Sequence, residues 1–374
     1  TRATDMIPTL RHRLPTSLCF LFQLLTISLY ALLFSRFSWD RKQYCRLGEL
    51  AIGPGSSPYR VDDVIAATQS NLFLTYPPFI LPIFEFLCAQ PWWLWCLVYL
   101  SLYLLLVWVS EVACEPTNHL ILALGFLGIP TIFASGNIEL IEVMLFVAAL
   151  CCSQKKLQFL AGTFLGAAIV IKLQCALFLP LLCLAARDRM SIVRFLGGVL
   201  AIASLGYLVS FWIFPNLSLE YFQMIYAEIL LGRSNVVMDP YQPSLVNFIA
   251  AMWPGDHQNL FPLICIIPLY GSALLLAYRS RNQESTFHLA VLIALICFPR
   301  LAYYSYALVL WSLCKLCNLF SASERALICS ISLLPSIFAL TIFKSILIPG
   351  PVIFLSYTVV VLLCFRFQMR LPKS

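Results

Sequence analysis

Apolar residues follow one another along this chain in long stretches, and twelve of these read as helices: 16–36, 92–111, 119–135, 137–152, 158–173, 174–186, 195–214, 260–278, 286–299, 303–320, 326–346 and 351–366. Most approach the roughly 20 residues that cross a hydrocarbon core. The stretches 158–173 and 174–186 are short for full crossings, so the count of twelve stands to within two. Between the stretches most connections are a handful of residues long, with two exceptions, 37–91 and 215–259. Long connections of this kind tend to be functional. Within the first, Pro77 to Ala89 is apolar, too short to span, and carries Glu85. It predicts a helix lying in the outer leaflet or re-entering it. The second opens on the sequon Asn216-Leu217-Ser218, a glycosylation acceptor if the host is eukaryotic, and predicts an amphipathic helix over Tyr221 to Leu231 before Pro240, Pro243 and Pro254 interrupt it.

Composition places the whole chain in the membrane class. It is 61% hydrophobic and 11% charged, with a mean hydropathy of +0.88, which describes an all-α, polytopic transmembrane helix bundle forming a single domain over residues 1–374. The net charge of +7 comes from Lys and Arg scattered between apolar runs, with no basic stripe that would track nucleic acid. Arg11/Arg13, Lys155-Lys156, Arg187/Arg189/Arg194, Arg279/Arg281, Arg325 and Arg366/Arg370/Lys373 all fall on one face, which is therefore cytoplasmic. Arg11-His12-Arg13 precedes the first span with no small-residue cleavage site after it, so that span reads as a retained helix. The 15 cysteines lie mostly inside apolar runs, Cys45 being the clearest one in an outer connection, and they suggest neither a disulfide framework nor a zinc site. Asp62-Asp63 are adjacent carboxylates in a loop, a pattern that usually binds no metal, and no metal or other cofactor is expected. Gly162 and Gly166 form a small-xxx-small pair suited to helix packing.

Charges at membrane depth are expensive, and here they gather at one end. Asp40, Glu85, Glu139, Glu142, Lys172 and Arg300 all fall at or near the outer ends of their spans, predicting a polar chamber open to the outer leaflet. Glu111 and Lys315 stand outside this pattern, the first interfacial and the second able to snorkel.

Several of these residues sit in patterns that resemble the multipass glycosyltransferases of the GT-C type, most closely glycosyltransferase family 87. The points of similarity are Asp40 with Tyr44 and the following Gly55 to Tyr59, Tyr76-Pro77-Pro78-Phe79, Ser135-Gly136-Asn137, Ile171-Lys172-Leu173 with Pro180, and Pro299-Arg300 followed by Tyr303 to Tyr306. Many relatives carry a histidine in that last segment, where this chain has Arg300 and tyrosines. The resemblance implies a membrane enzyme that moves a hexose or pentose, mannose first, from a polyprenyl-phosphate donor to a lipid or glycan acceptor on the extracytoplasmic face. It implies Asp40 as the base that accepts the acceptor's proton. Lys172, Arg300 and Arg233 are the cations to hold the phosphate, and Tyr44, Tyr76, Asn137, Glu139 and Tyr304 the substrate contacts. A bacterial inner membrane suits this chemistry better than the endoplasmic reticulum.

Each assignment has a plainer rival. Asp40 can pair with Arg41, Lys42 or Arg46, Lys172 can snorkel, and Arg300 can anchor an aromatic belt with Tyr303, Tyr304 and Tyr306. Tyr76-Pro77-Pro78 can be a helix start alone, and Glu139 and Glu142 can serve only to complement a helix N-terminus. For the molecule as a whole the rivals are a transporter or flippase for a lipid or polar solute, although no half-to-half repeat is visible, and a non-catalytic membrane scaffold.

Overall fold

The computed structural model describes residues 39–52, 55–68, 76–110, 116–186, 188–226, 260–279, 284–297, 303–341 and 349–370, with isolated positions at 21, 25, 28, 244, 245 and 248. Among the described residues the chain is helical throughout. The helices are α1 (Trp39–Ile52), α2 (Val61–Thr68), α3 (Leu81–Ala89), α4 (Trp92–Ser110), α5 (Pro116–Leu124), α6 (Gly128–Ser135), α7 (Glu139–Gln154), α8 (Gln158–Ile171), α9 (Leu179–Ala185), α10 (Arg189–Ile213), α11 (Pro215–Ile225), α12 (Leu260–Arg279), α13 (Glu284–Ile296), α14 (Ala307–Cys317), α15 (Ala322–Thr341) and α16 (Gly350–Gln368). Short 3-10 turns join them at Pro78–Ile80, Gly125–Leu127, Leu173–Phe178 and Tyr303–Tyr306.

Four helical stretches are long and apolar enough to cross a membrane: Thr117–Ser135, Arg189–Ile213, Ala322–Ala339 and Gly350–Gln368. The remaining expected crossings are shorter apolar helices, or, for α7, a helix that begins with two carboxylates. The expected first span, 16–36, lies almost wholly outside the described residues. The apolar segment from Pro77 onward does fold as a helix, α3, and packs on α1. The helix expected over Tyr221 to Leu231 is instead α11, which starts at Pro215 because proline is tolerated in a first turn. Residues 227–243, among them the rest of the expected helix and Arg233, lie outside the described residues.

Glycine sets the closest packing in the bundle. A Cβ added to Gly162 would sit 1.9 Å from the Phe195 carbonyl oxygen, and one added to Gly198 would sit 2.2 Å from the Phe159 carbonyl oxygen, so α8 and α10 touch backbone to backbone. This is the role expected of the Gly162/Gly166 pair. The other side of α10, with Leu200, Leu208 and Trp212, is exposed and suited to lipid. The stretch 117–135 is broken where Phe126 and Leu127 adopt positive φ of 51° and 60°, a strained backbone that persists only when its surroundings enforce it. Phe126 packs against Tyr306 and Tyr357, and Ser336 donates its hydroxyl to the Leu124 carbonyl freed by the break. At membrane depth that carbonyl has no water to turn to.

The contact between α8 and α10 is directly testable. Gly162→Ala must push the two helices apart and is expected to destabilise by about 1–3 kcal/mol, read as a lower unfolding temperature in detergent. Gly197→Ala, whose Cβ would meet nothing within 4 Å, is expected to leave it unchanged.

Candidate active site

Asp40 lies in the first turn of α1, a helix outside the candidate spans, and is buried at 8% exposure. None of the described ion pairs involves it, so the pairing with Arg41, Lys42 or Arg46 that the sequence allows does not form. Its partner comes from far along the chain: Asn137 Nδ2 donates to Asp40 Oδ2 at 2.9 Å. Ser135, at the end of α6, also faces this carboxyl. Burial pushes the Asp40 carboxyl up to about 6 from 3.8, while Asn137, Ser135 and the charge of Lys172 hold it down.

The turn that delivers Asn137 depends on its neighbour. Gly136 has φ of 71°, the left-handed region that ends α6, and its backbone N–H bonds the Ile132 carbonyl. A Cβ there would also lie 2.9 Å from the Cβ of Arg41, so the residue beside the carboxylate needs the space as well. Asn137 Oδ1 then accepts the Glu139 N–H at 2.8 Å, satisfying an otherwise unpaired donor at the start of α7. Tyr76 donates to the same oxygen at 3.4 Å, and the Tyr76 and Tyr44 hydroxyls are 3.2 Å apart. Tyr44 is one helical turn beyond Asp40, stacked on Phe84 of α3. Both tyrosines are buried, and burial drives the Tyr76 phenol above its ordinary value.

Glu139 and Lys172 meet because α7 starts and α8 ends at the same place. Lys172 Nζ donates to Glu139 Oε2 in a charged pair. Lys172 itself leaves the helix into extended backbone, φ −147° and ψ 114°. The other Glu139 oxygen accepts Gln174 Nε2 at 2.8 Å and the Ser305 hydroxyl at 3.3 Å. Gln174 Nε2 also reaches Glu142 at 3.1 Å, and the Cys175 thiol donates to Glu142 at 2.9 Å. Glu139 and Glu142 are thus not mere complements to a helix end.

The structure therefore brings together Asp40, Tyr44, Tyr76, Asn137, Glu139 and Lys172, from four separate parts of the chain. Arg300 and Arg233 lie outside the described residues, and so does the side chain of Tyr304, whose backbone sits in the 3-10 turn Tyr303–Tyr306. Among the described residues Asn137, Glu139 and Glu142 do not line the open chamber expected: each is at most 1% exposed. Gln174 and Cys175 belong to it and were not singled out in the sequence, where a glutamine two residues past Lys172 is the only signal. A second difference is the Cys45–Cys88 disulfide, which ties α1 to α3 although the cysteine pattern suggests no such framework. Disulfides persist in oxidising compartments, which agrees with placing this end of the bundle outside. Arg60 and Glu220, paired at 2.6 Å, join the start of α2 to α11 and so brace the two long connections against each other.

No curated protein and no solved structure matches the chain. The model of glycosyltransferase family 87 matches residues 73–303. This region holds Tyr76, Asn137, Glu139 and Lys172, and the fold sets Asp40, from the segment before it, against Asn137. Matched over more than half of its length and helical and apolar as such an integral membrane protein should be, the chain belongs to glycosyltransferase family 87.

Proposed function

We propose that the protein transfers a sugar, mannose being the first choice, from a polyprenyl-phosphate donor to a lipid-linked or other envelope glycan acceptor at the extracytoplasmic face, with inversion at the anomeric carbon. The observation that carries this reading is Asp40, a buried carboxylate held as a hydrogen-bond acceptor at the end of the bundle where the other buried acids collect. In the proposed step the acceptor hydroxyl passes its proton to Asp40 as its oxygen attacks the anomeric carbon. The bond from that carbon to the phosphate oxygen breaks, and polyprenyl phosphate departs with the electron pair. One base and a single displacement suffice, with no covalent enzyme intermediate. Arg300 and Arg233 remain candidates to hold the phosphate.

Lys172 needs a different role from the one first expected. Its ammonium is already engaged by Glu139, and a phosphate would have to compete with a carboxylate in a buried pair. In this reading Lys172 keeps Glu139 in place, and through the Glu139 N–H it fixes the Asn137 amide that orients the base. Lys172→Met would leave Glu139 buried without its cation, a change expected to destabilise by about 3–5 kcal/mol. Lys172→Arg should retain most of the stability. Unfolding temperatures of the two variants decide between this structural pairing and a cation exposed to the donor.

Incubation of the purified protein with a panel of polyprenyl-phosphate sugars should reveal donor turnover, and Asp40→Asn should abolish it while the protein stays folded and inserted. Full transfer by Asp40→Asn would remove Asp40 from the chemistry. As a base, Asp40 must be ionised, so kcat/KM should fall as pH drops through about 6. The same shift has a stability consequence of opposite sense. A carboxyl raised in the fold disfavours its own ionisation there, a penalty absent below pH 3.8 and complete above about 6. Removing that charge should therefore stabilise Asp40→Asn at neutral pH by up to about 3 kcal/mol, seen as a higher unfolding temperature at pH 7.5 and little change at pH 4.

A further inference from the structure

Asn137 offers Asp40 a donor and nothing else. Its NH2 bonds Asp40 Oδ2 at 2.9 Å, while its oxygen is taken by the Glu139 N–H at 2.8 Å. Such a partner suits the ionised carboxylate. Once Asp40 has gained a proton, the new O–H needs an acceptor, and burial denies it bulk water. The neighbouring polar groups are committed elsewhere: Tyr76 to Asn137, Lys172 and Gln174 to Glu139. Ser135, the last residue of α6, is different. It is fully buried, and its hydroxyl oxygen has no completed hydrogen bond although it faces the Asp40 carboxyl. A buried hydroxyl in that state costs free energy, and such an exception calls for a reason. The backbone beside it is pinned, because the Gly136 and Asn137 N–H groups both bond the Ile132 carbonyl, at 3.0 and 3.2 Å. What remains free to turn is the hydroxyl.

We propose that Ser135 is a positioning residue for Asp40, donating its hydroxyl to the carboxylate before transfer and accepting the carboxyl O–H after it. A hydroxyl can do both because it carries one donor and two lone pairs, which neither an amide NH2 nor an ammonium offers. No proton leaves Ser135. The proton of the acceptor hydroxyl moves to Asp40, and the Ser135 O–H turns toward the Thr131 carbonyl one helical turn back, a bond open to a serine in a helix. The source of that proton rests on the sugar-transfer reading, whereas the pairing of Ser135 with Asp40 does not. Hydrogen bonds to a charged acceptor are the stronger ones, so loss of this hydroxyl makes Asp40 harder to ionise. The charges acting on the same carboxyl are those of Lys172 and Glu139. Of the elements packed on α1, α3 carries the exposed Glu85, α2 carries Asp62 and Asp63, and α6 carries no charged residue.

The test uses the full chain in detergent and two readouts. The first, taken without substrate, is the pH titration of the infrared carbonyl band of protonated Asp40, identified by its absence in Asp40→Asn. The second is the pH profile of kcat/KM with a polyprenyl-phosphate sugar. Ser135→Ala should move the titration midpoint and the acid limb of the profile upward by roughly half to one pH unit, the difference between a charged and a neutral hydrogen bond. It should also lower the plateau kcat by roughly 3- to 10-fold, the worth of one hydrogen bond, with donor KM unchanged. Ser135→Thr keeps the hydroxyl and should restore both midpoints. Ser135→Cys, similar in shape but a poor donor and acceptor, should shift them as alanine does and serves if Ser135→Ala fails to fold. Thr131→Val removes a hydroxyl that is also buried without a hydrogen-bond partner, one turn away on the same helix, and should move neither. An unmoved midpoint in Ser135→Ala and Ser135→Cys overturns the proposal, and so does an equal shift in Thr131→Val. A raised donor KM with an unmoved midpoint would make Ser135 a substrate contact and overturn it as well. A shifted midpoint in a protein that transfers no sugar would leave the pairing standing and remove the sugar-transfer reading. Sugar transfer with an unmoved midpoint would do the reverse.

Discussion

The orientation of one amide, that of Asn137, governs what Asp40 can do. Its oxygen is claimed by the Glu139 N–H and the Tyr76 hydroxyl, so its NH2 must face Asp40 and the carboxyl there must accept. That fixes the amide against the flip that would present an oxygen to an oxygen. The constraint propagates in both directions. Toward the interior, Glu139 cannot shift because Lys172, Gln174 and Ser305 fill its acceptor positions. Toward the surface, Asp40 cannot shift because α1 is held to α3 by a disulfide and, through Tyr44, stacked on Phe84. The buried carboxylate is thereby held in one orientation as a hydrogen-bond acceptor.

The buried cluster holds more acids than cations among the described residues. Asp40, Glu139 and Glu142 are buried together, and Lys172 is the cation described among them. An approaching phosphate would meet more negative than positive charge there, and in a low-dielectric setting that repulsion is poorly screened. Lys42 and Arg46, not Arg41, fall on the side of α1 opposite Asp40, because residues two and six positions on project about 200° and 240° around a helix of about 3.6 residues per turn.

Much of the cluster was legible because membrane burial makes charge rare. Asp40, Glu139 and Lys172 stand out in a chain with 11% charged residues, and their places at the ends of apolar runs put them at one end of the bundle. Asn137, Tyr76 and Tyr44 were legible through family-like patterns. What was not legible depends on which helices lie side by side. The pairing of Lys172 with Glu139, across 33 residues, depends on α7 and α8 lying side by side. Gln174 hid in an apolar run whose 3-10 turn no periodicity announces. The disulfide joins one cysteine in an outer connection to another, Cys88, within an apolar segment 43 residues on, and neither spacing nor composition links them. The break at Phe126 and Leu127 is likewise imposed by tertiary packing, since neither residue favours positive φ.

A transporter with the same outer charges would need polar groups continuing toward the opposite face, and the interior beyond Glu142 runs the other way. One turn further along α7, Phe146 packs on Phe178 with ring centroids 4.3 Å apart. Among the described residues, Val143 and Val147 of the same helix line a void of about 10 Å³ with Leu106, Leu122, Ile129, Ala307, Leu310 and Trp311. That is at the lower limit of what holds one water molecule, and an apolar lining offers such a water no partners. Near the far end of α7, Gln154 and Ser312 contact His288 in a buried polar network of its own. A polar solute would have to cross the intervening apolar layer without a hydrogen-bond partner, at a cost of several kcal/mol per polar group. A reaction confined to the end of the bundle that holds Asp40 needs no such route.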